Sequence, residues 1–452
     1  MHLGVVSPVL ILGAGAVLVL LLALLVGEVG ALLRTVSLLV VAAAAVAALV
    51  VQGSAFSGAA LADPLSRVGD LVAMAGAVAA ITLPAPGRWG DRWSAYLALT
   101  LWAAAGMALA SAAANLIVLF LGIEVLSLAL YVLTAFAVED GRGAEAAFKY
   151  FILGGLGSGL FLMGAAFTFA ARGSLALTAQ PAWGGLLAGL GLALIIAGLG
   201  FKLALAPFQM WTPDVYEGAP TGVTAFMAVG TKAAAFIVLA RVLLAAFPAA
   251  SGIIAVLGAV SMFVGYLLAL RQPGIKRLLA FSGIANAGTL VLAVLLGPNF
   301  MPVAAAYLAA YAAATLGAFA VVAIVEQRSG RGDLEALRGL GARAPWLAAA
   351  LVICLLSLAS VPPTGGFLAK LLLLEGLTHA GHPFLAVLVV LATLVALYPY
   401  FRIVAAVLGP ASGEEEPVVG GAARLPAPAV VATLAVLATF AIGILPGPLL
   451  HG

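Results

Sequence analysis

Lys149, Lys202, Lys232 and Lys370 each stand in a stretch of sequence otherwise apolar enough to cross a bilayer, and Glu124 stands in another. A charge at the bilayer centre costs on the order of 3 kcal/mol. A chain that is 65% hydrophobic and 8% charged does not place cations there for solubility. Amines and carboxyls gain and lose protons, burial favouring the neutral form and an opposite charge the ionised one. The chemistry within reach is therefore ion or proton movement through the membrane.

Glu124 lies mid-span in an apolar run, and Lys202 falls near the same depth two spans later. The pair reads either as a structural tie between helices or as a contact whose making and breaking resets the lysine's proton affinity. Lys232 sits near the centre of a span with no acidic residue, too deep to reach an interface by snorkelling, which suits a relay. Lys370 is similarly deep, with Glu375 five residues on and on another face, and suits a terminal proton site. Lys149 follows Glu145 by one turn, so an i,i+4 surface pair and a relay role both stand open. His2, His379, His382 and His451 map to the outer side or the termini. A path through the membrane must then use the lysines, Glu124, hydroxyls such as Thr231, Ser282, Tyr307 and Tyr311, and water.

Positioning these groups requires helices. Each span needs roughly 20 apolar residues, and fourteen fit the chain. They fall near 5–26, 32–51, 66–84, 93–111, 115–138, 145–171, 186–210, 221–247, 251–270, 275–296, 302–325, 346–378, 383–408 and 426–446. The expectation is an all-α polytopic membrane protein without a soluble domain. The third span is the weakest, because Arg67 and Asp70 open it. The N-terminal run lacks a basic region before it and reads as a retained span.

Arginine and lysine concentrate in connections after odd-numbered spans, which are therefore expected to be cytoplasmic, with both termini outside. Trp89, Trp93, Trp211 and Trp346 flank those connections and Trp183 an outer one. Net charge +3 reflects this asymmetry and implies no nucleic-acid partner. The run Glu414-Glu415-Glu416 reads as a solvated loop.

Pro207 follows Lys202 in the seventh span, and Pro362-Pro363 precede Lys370 in the twelfth. Proline removes a backbone donor, and irregular backbone at membrane depth survives only inside protein or beside a polar cavity. Paired breaks point to inverted repeats: spans 4–8 (93–247) and spans 9–13 (248–408), after a three-helix segment (1–92) and before a C-terminal loop and last helix (409–452). Simple packing kinks are the alternative. The glycine clusters at 154–159 and 184–200 have no strand before them and read as close helix packing. Cys354 is the one cysteine, so no iron–sulfur cluster fits, and no membrane histidine pair offers haem ligands.

The stretch Gly-Phe-Lys-Leu-Ala-Leu-Ala-Pro-Phe-Gln-Met-Trp-Thr-Pro-Asp-Val-Tyr-Glu-Gly-Ala-Pro-Thr from Gly200, with Gly-Thr-Lys-Ala-Ala-Ala-Phe at 230–236, resembles the antiporter-like subunits of respiratory complex I. Glu-Ala-Ala-Phe-Lys-Tyr-Phe-Ile-Leu-Gly at 145–154, Ile-Lys-Arg-Leu-Leu-Ala-Phe-Ser at 275–282 and Pro-Pro-Thr-Gly-Gly-Phe-Leu-Ala-Lys at 362–370 extend the resemblance over essentially the whole chain. It implies a proton-translocating subunit of the membrane arm of an NADH:quinone oxidoreductase. Glu124, Lys202, Lys232 and Lys370 match the family's relay positions, and a lysine in span 12 is similar to N-type members. The resemblance also implies neighbouring K- and M-type subunits, the plasma membrane of a bacterium, and partner subunits that carry quinone, flavin and iron–sulfur clusters. This chain departs where relatives commonly have histidine, at Gln209 and in the motif around Asn286. Two other readings remain: a subunit of a multi-subunit cation/proton antiporter, and a spacer with reduced pumping.

Overall fold

The computed structural model describes residues 3–84, 89–136, 141–177, 183–246, 250–410 and 427–444. His2, His451, Arg88, Arg424 and the acidic run at 414–416 lie outside the described residues. Thirteen described helices are long and apolar enough to cross a membrane. The expected twelfth span is present as two shorter helices. In chain order the helices are α1 Ser7–Val26, α2 Gly30–Val50, α3 Pro64–Thr82, α4 Trp93–Ala112, α5 Leu116–Thr134, α6 Arg142–Arg172 and α7 Leu186–Leu203. There follow α8 Thr212–Gly218, α9 Thr221–Phe226, α10 Lys232–Ala245, α11 Ser251–Ala269, α12 Ile275–Val291, α13 Phe300–Ser329, α14 Leu340–Arg343, α15 Pro345–Leu358, α16 Gly365–His379, α17 Pro383–Leu408 and α18 Ala427–Ile444. The chain divides into two compact units, Met1–Ile254 and Ala255–Gly452.

One departure from an all-α chain is a short hairpin, β1 Gly53–Ala55 with β2 Ala60–Ala62. Isolated bridges join Ala60 to Ala113 and Asn115 to Ala176. Three connections at one end of the first unit are thereby stitched through their backbones. Peptide groups leaving a helix need partners, and here each loop supplies them to the next.

The third span forms despite its charges because its start is strongly specified and its faces are inside protein. Asp63 accepts from the Ser66 N–H at 2.8 Å, Ser66 Oγ accepts from the Asp63 N–H at 2.9 Å, and Pro64 opens the helix. This is a reciprocal cap followed by the one residue that needs no donor there. Small residues then let helices touch. A Cβ on Gly106 of α4 would stand 2.4 Å from the Leu126 nitrogen of α5. On α6 and α7, Gly198 faces the Gly157 carbonyl and Gly164 the Gly191 carbonyl, each at 2.7 Å from the Cβ it lacks. The glycine clusters thus do close packing at these positions, while Gly155 and Gly159 face open space.

Candidate functional site

Lys202 occupies the last turn of α7, and the turn ends one residue after Leu203. Ala204 adopts left-handed backbone at φ 60. Its N–H returns to the Phe201 carbonyl at 3.1 Å, and the Leu205 N–H returns to the Gly200 carbonyl at 2.8 Å. This is the paired closure of a helix end usually made by glycine. Four residues after Leu203 stands Pro207, which has no N–H to give. The helix end leaves the Leu203 carbonyl without an intrahelical partner, and Lys232 Nζ donates to it at 3.4 Å. Lys232 is 4% exposed and starts α10 directly after a π-helical turn, Met227–Thr231. Such wide turns recur at functional positions. The Thr231 hydroxyl beside it is buried without a hydrogen-bond partner.

The Lys202 ammonium is buried and donates to Ser127 Oγ at 2.8 Å and to Tyr131 Oη at 3.3 Å, both on α5. Ser127 Oγ itself donates to the Ile123 carbonyl of its own helix. Glu124, one turn before Ser127, accepts instead from Ser158 Oγ of α6. The direct Glu124–Lys202 pair expected from sequence is thus not formed: among the described residues no ion pair within 4.0 Å joins them. Lys202 meets α5 lower down its polar face, and Glu124 is satisfied by another helix. Glu124, Ser127 and Tyr131 are spaced i, i+3 and i+7 and so share one face. Gly154 of α6 makes room for the Tyr131 hydroxyl, which would stand 2.0 Å from a Cβ there. Gln209 lies in the break, half-buried, with its Oε1 buried and unpartnered.

Lys149 is a different kind of site. It bridges Glu145 at 2.7 Å and Asp214 of α8 at 3.0 Å with its side chain 41% exposed. The i,i+4 pair was legible in the sequence; the second carboxylate, which ties α6 to α8, was not.

In the second unit the break between α15 and α16 repeats the first. Ser360 has φ 59, its N–H returns to the Ser357 carbonyl at 2.9 Å, and the Val361 N–H returns to the Leu356 carbonyl at 2.9 Å. Pro363 again follows the left-handed residue by three; both prolines are preceded by cis peptides, Ala206-Pro207 and Pro362-Pro363. Lys370 lies on α16 beyond the break, 5% exposed, and donates to Thr393 Oγ1 of α17 at 3.1 Å. A separate polar chain lies nearby in sequence on α12, α13 and α17. Tyr307 Oη donates to Asn286 Oδ1 at 2.9 Å, Asn286 Nδ2 donates to the Ser282 carbonyl at 2.9 Å, and Ser282 Oγ meets Tyr400 Oη at 2.5 Å. Asn286, Tyr307, Tyr311, Ser357, Ser360 and Gly366 line a small cavity.

Sequence reasoning named Asn286, Ser282, Tyr307 and Tyr311 but missed Ser127, Tyr131, Ser158, Thr393 and Tyr400. The helical spacing from Glu124 signals the first two. Tyr400 carries only its place one residue after Pro399, inside α17.

Residues 113–396 match the family described as NADH:quinone oxidoreductase/Mrp antiporter, TM. The chain is 41% identical to NADH-quinone oxidoreductase subunit N 1 of Symbiobacterium thermophilum, covering 98% of this chain and 96% of the relative. It is similar to a chain of respiratory complex I from Thermus thermophilus, at TM-score 0.85, 39% identity and 98% coverage of both. A chain of the Mrp complex from Dietzia sp. DQ12-45-1b shares the fold at TM-score 0.85 and 23% identity, covering 100% of this chain and 96% of that one.

Proposed function

This chain belongs to the NADH:quinone oxidoreductase/Mrp antiporter family and, within it, to the subunit N group of complex I, and on that premise we propose that it carries protons through Glu124, Lys202, Lys232 and Lys370. It is a membrane-arm subunit of an NADH:quinone oxidoreductase, a multi-span membrane protein whose partners are other subunits of that complex.

The observation that carries the proposal is the pairing of buried ammonium groups with neutral acceptors. Lys202 is held by two hydroxyls, and Lys370 by one. Lys232 lies on a carbonyl left open by the end of α7. Hydroxyls can accept from an ammonium and donate onward while staying neutral, so they hold the lysine without fixing its charge as a permanent carboxylate partner does. Glu124 supports the same reading from one turn away on α5: displacing it from Ser158 toward Lys202 changes the charge that the lysine faces.

The chain contributes no redox centre in this reading. Quinone, flavin and iron–sulfur clusters belong to partner subunits, and K- and M-type subunits are the expected neighbours. The charge bias of the connections supports a bacterial plasma-membrane orientation with both termini outside.

The test uses the assembled complex in proteoliposomes, with proton uptake measured per NADH oxidised. Lys202→Ala and Glu124→Ala are expected to lower that ratio sharply while the complex assembles. Lys232→Arg keeps charge but cannot deprotonate at accessible pH, and is expected to be nearly as damaging as Lys232→Ala. Wild-type ratios in all of these variants would refute the relay and leave the spacer reading.

A further inference from the structure

Asp70 belongs to neither lysine site and precedes both five-helix repeats read from the sequence. It is 6% exposed, and its Oδ1 is buried without a hydrogen-bond partner. Arg67, one turn earlier on α3, does not satisfy it, and the Arg67 Nε is likewise buried without a partner. A carboxyl buried in this way is costly as an unpaired charge. Each unsatisfied group of this kind calls for a reason.

The neighbours supply one. Ser111 of α4 is fully buried with its Oγ unpartnered. That Oγ would stand 2.4 Å from a Cβ on Gly69, the residue before Asp70, and Ile237 Cδ1 of α10 would stand 2.3 Å from it. One turn further along α3, the Ala73 Cα lies 3.3 Å from the Cβ that Gly230 lacks. Asp70 therefore stands on α3 between the levels of Gly230 and Ile237, the stretch that holds Lys232. In the other direction, Arg241 of α10 donates through NH1 and NH2 to the two Asp63 carboxylate oxygens at 2.8 Å each and to the Ser111 carbonyl at 3.2 Å. The Arg241 Nε is buried without a partner, whereas the Asp63 side chain is 32% exposed. Thr231, Asp70, Ser111 and Arg241 each hold a buried polar atom without a hydrogen-bond partner, on the stretches of α3, α4 and the eighth span between the level of Lys232 and the Asp63–Arg241 pair.

We propose that Asp70 is a proton-holding carboxyl that passes protons between Lys232 and the surface at the Asp63–Arg241 pair. In the orientation read from charge bias this is the outer surface, so Asp70 serves an exit through the first unit. The proposal rests on the lysine relay and adds a residue to it. In the step, the Lys232 ammonium releases a proton through the Thr231 hydroxyl or water to the Asp70 carboxylate, leaving an amine and a carboxylic acid. The acid then returns its proton to water beside Asp63.

The experiment is Asp70→Asn in the assembled complex in proteoliposomes, with Asp70→Glu and Lys232→Ala beside it. Asp70→Asn keeps the shape and cannot hold a proton. It is expected to lower protons moved per NADH at least about tenfold, with Asp70→Glu restoring most of the ratio. Infrared difference spectra of the wild-type complex between rest and turnover are expected to show a carboxyl C=O band that disappears in Asp70→Asn and shifts in Asp70→Glu. A wild-type ratio in Asp70→Asn together with an unchanged band overturns the proposal. If Lys232→Ala stops pumping in that case, the relay stands without Asp70. If Lys232→Ala also pumps normally, both readings fall. If Asp70→Asn does not assemble, the band in Asp70→Glu decides: a shift supports the assignment and its absence overturns it.

Discussion

At Ala204 in the first unit and at Ser360 in the second, a residue with a Cβ takes left-handed backbone and two N–H groups fold back onto the preceding helix. A proline stands three residues on in both. The polar content differs. In the first unit one lysine precedes the break and a second, from the following span, takes the freed Leu203 carbonyl. In the second unit the lysine comes after the break and bonds to a threonine on the next helix, while Ser357 Oγ accepts from the Gly366 N–H inside the break itself. The comparison teaches that the broken backbone and the buried cation are separable devices. The break exposes peptide groups at depth, and each unit uses them with a different side chain.

The largest effects expected come from removing the cations on either side of that comparison. Lys202→Ala and Lys370→Ala should each reduce proton translocation by roughly ten- to a hundredfold if both units lie on one path. Loss in the first and wild-type pumping in the second would confine the path to the first unit. Proton uptake by vesicles holding the assembled complex is the measurement.

A sharper cut between the breaks is proline replacement. Pro207→Ala removes the ring that stiffens the turn after Ala204, the turn that leaves the Leu203 carbonyl to Lys232, so pumping should fall several-fold. Pro363→Ala meets no lysine at the equivalent carbonyl and should alter stability more than pumping. Equal pumping losses in the two variants would show that the break itself, and not its occupant, sets the rate.

Tyr131→Phe removes one of the two acceptors of Lys202, and Gly154→Ala crowds the same hydroxyl from α6. The alanine should destabilise by about 1–3 kcal/mol, read as a lower thermal midpoint of the complex, with a pumping loss that resembles that of Tyr131→Phe. A pumping loss for Gly154→Ala alone would assign the effect to packing.

At the surface of the first unit the Asp63–Arg241 pair gives a pH signature. Burial pushes the Asp63 carboxyl up, but the Arg241 guanidinium and the Ser66 donors outweigh it and hold the group below the ordinary carboxylate range. A depressed carboxyl contributes stability above its unfolded value, and that contribution disappears as pH falls through the folded one. Asp63→Asn should therefore cost about 1–3 kcal/mol at neutral pH and show a flatter acid limb in thermal stability. Lys149→Ala should matter least, under about 1 kcal/mol, with pumping near the wild-type ratio.

The spans, both breaks and the buried lysines were legible because apolar length and proline position act locally. Bonding partners were not. Nothing in the run around Glu124 announces that Ser158 of α6 will hold it and that Ser127 will take Lys202, because hydroxyls satisfy carbonyls of their own helix as readily. The third span shows the opposite limit: hydropathy marks Arg67 and Asp70 as defects, whereas the packing on α4 and α10 makes Asp70 interior and leaves Arg67 half-buried.

The π-helical turn at Met227–Thr231 carries one residue more than a regular α-helix needs there. The two halves of the eighth span stay in phase only while that turn stays wide, and rewinding it to α geometry would rotate one half against the other by about one residue's step, roughly 100°. Deleting a single residue there would close the turn and leave Lys232 on the same face relative to Thr221–Phe226, whereas rewinding the turn with all its residues kept would swing the lysine around the helix axis without altering one atom of it. The direction in which that amine points is thus held by the width of one turn.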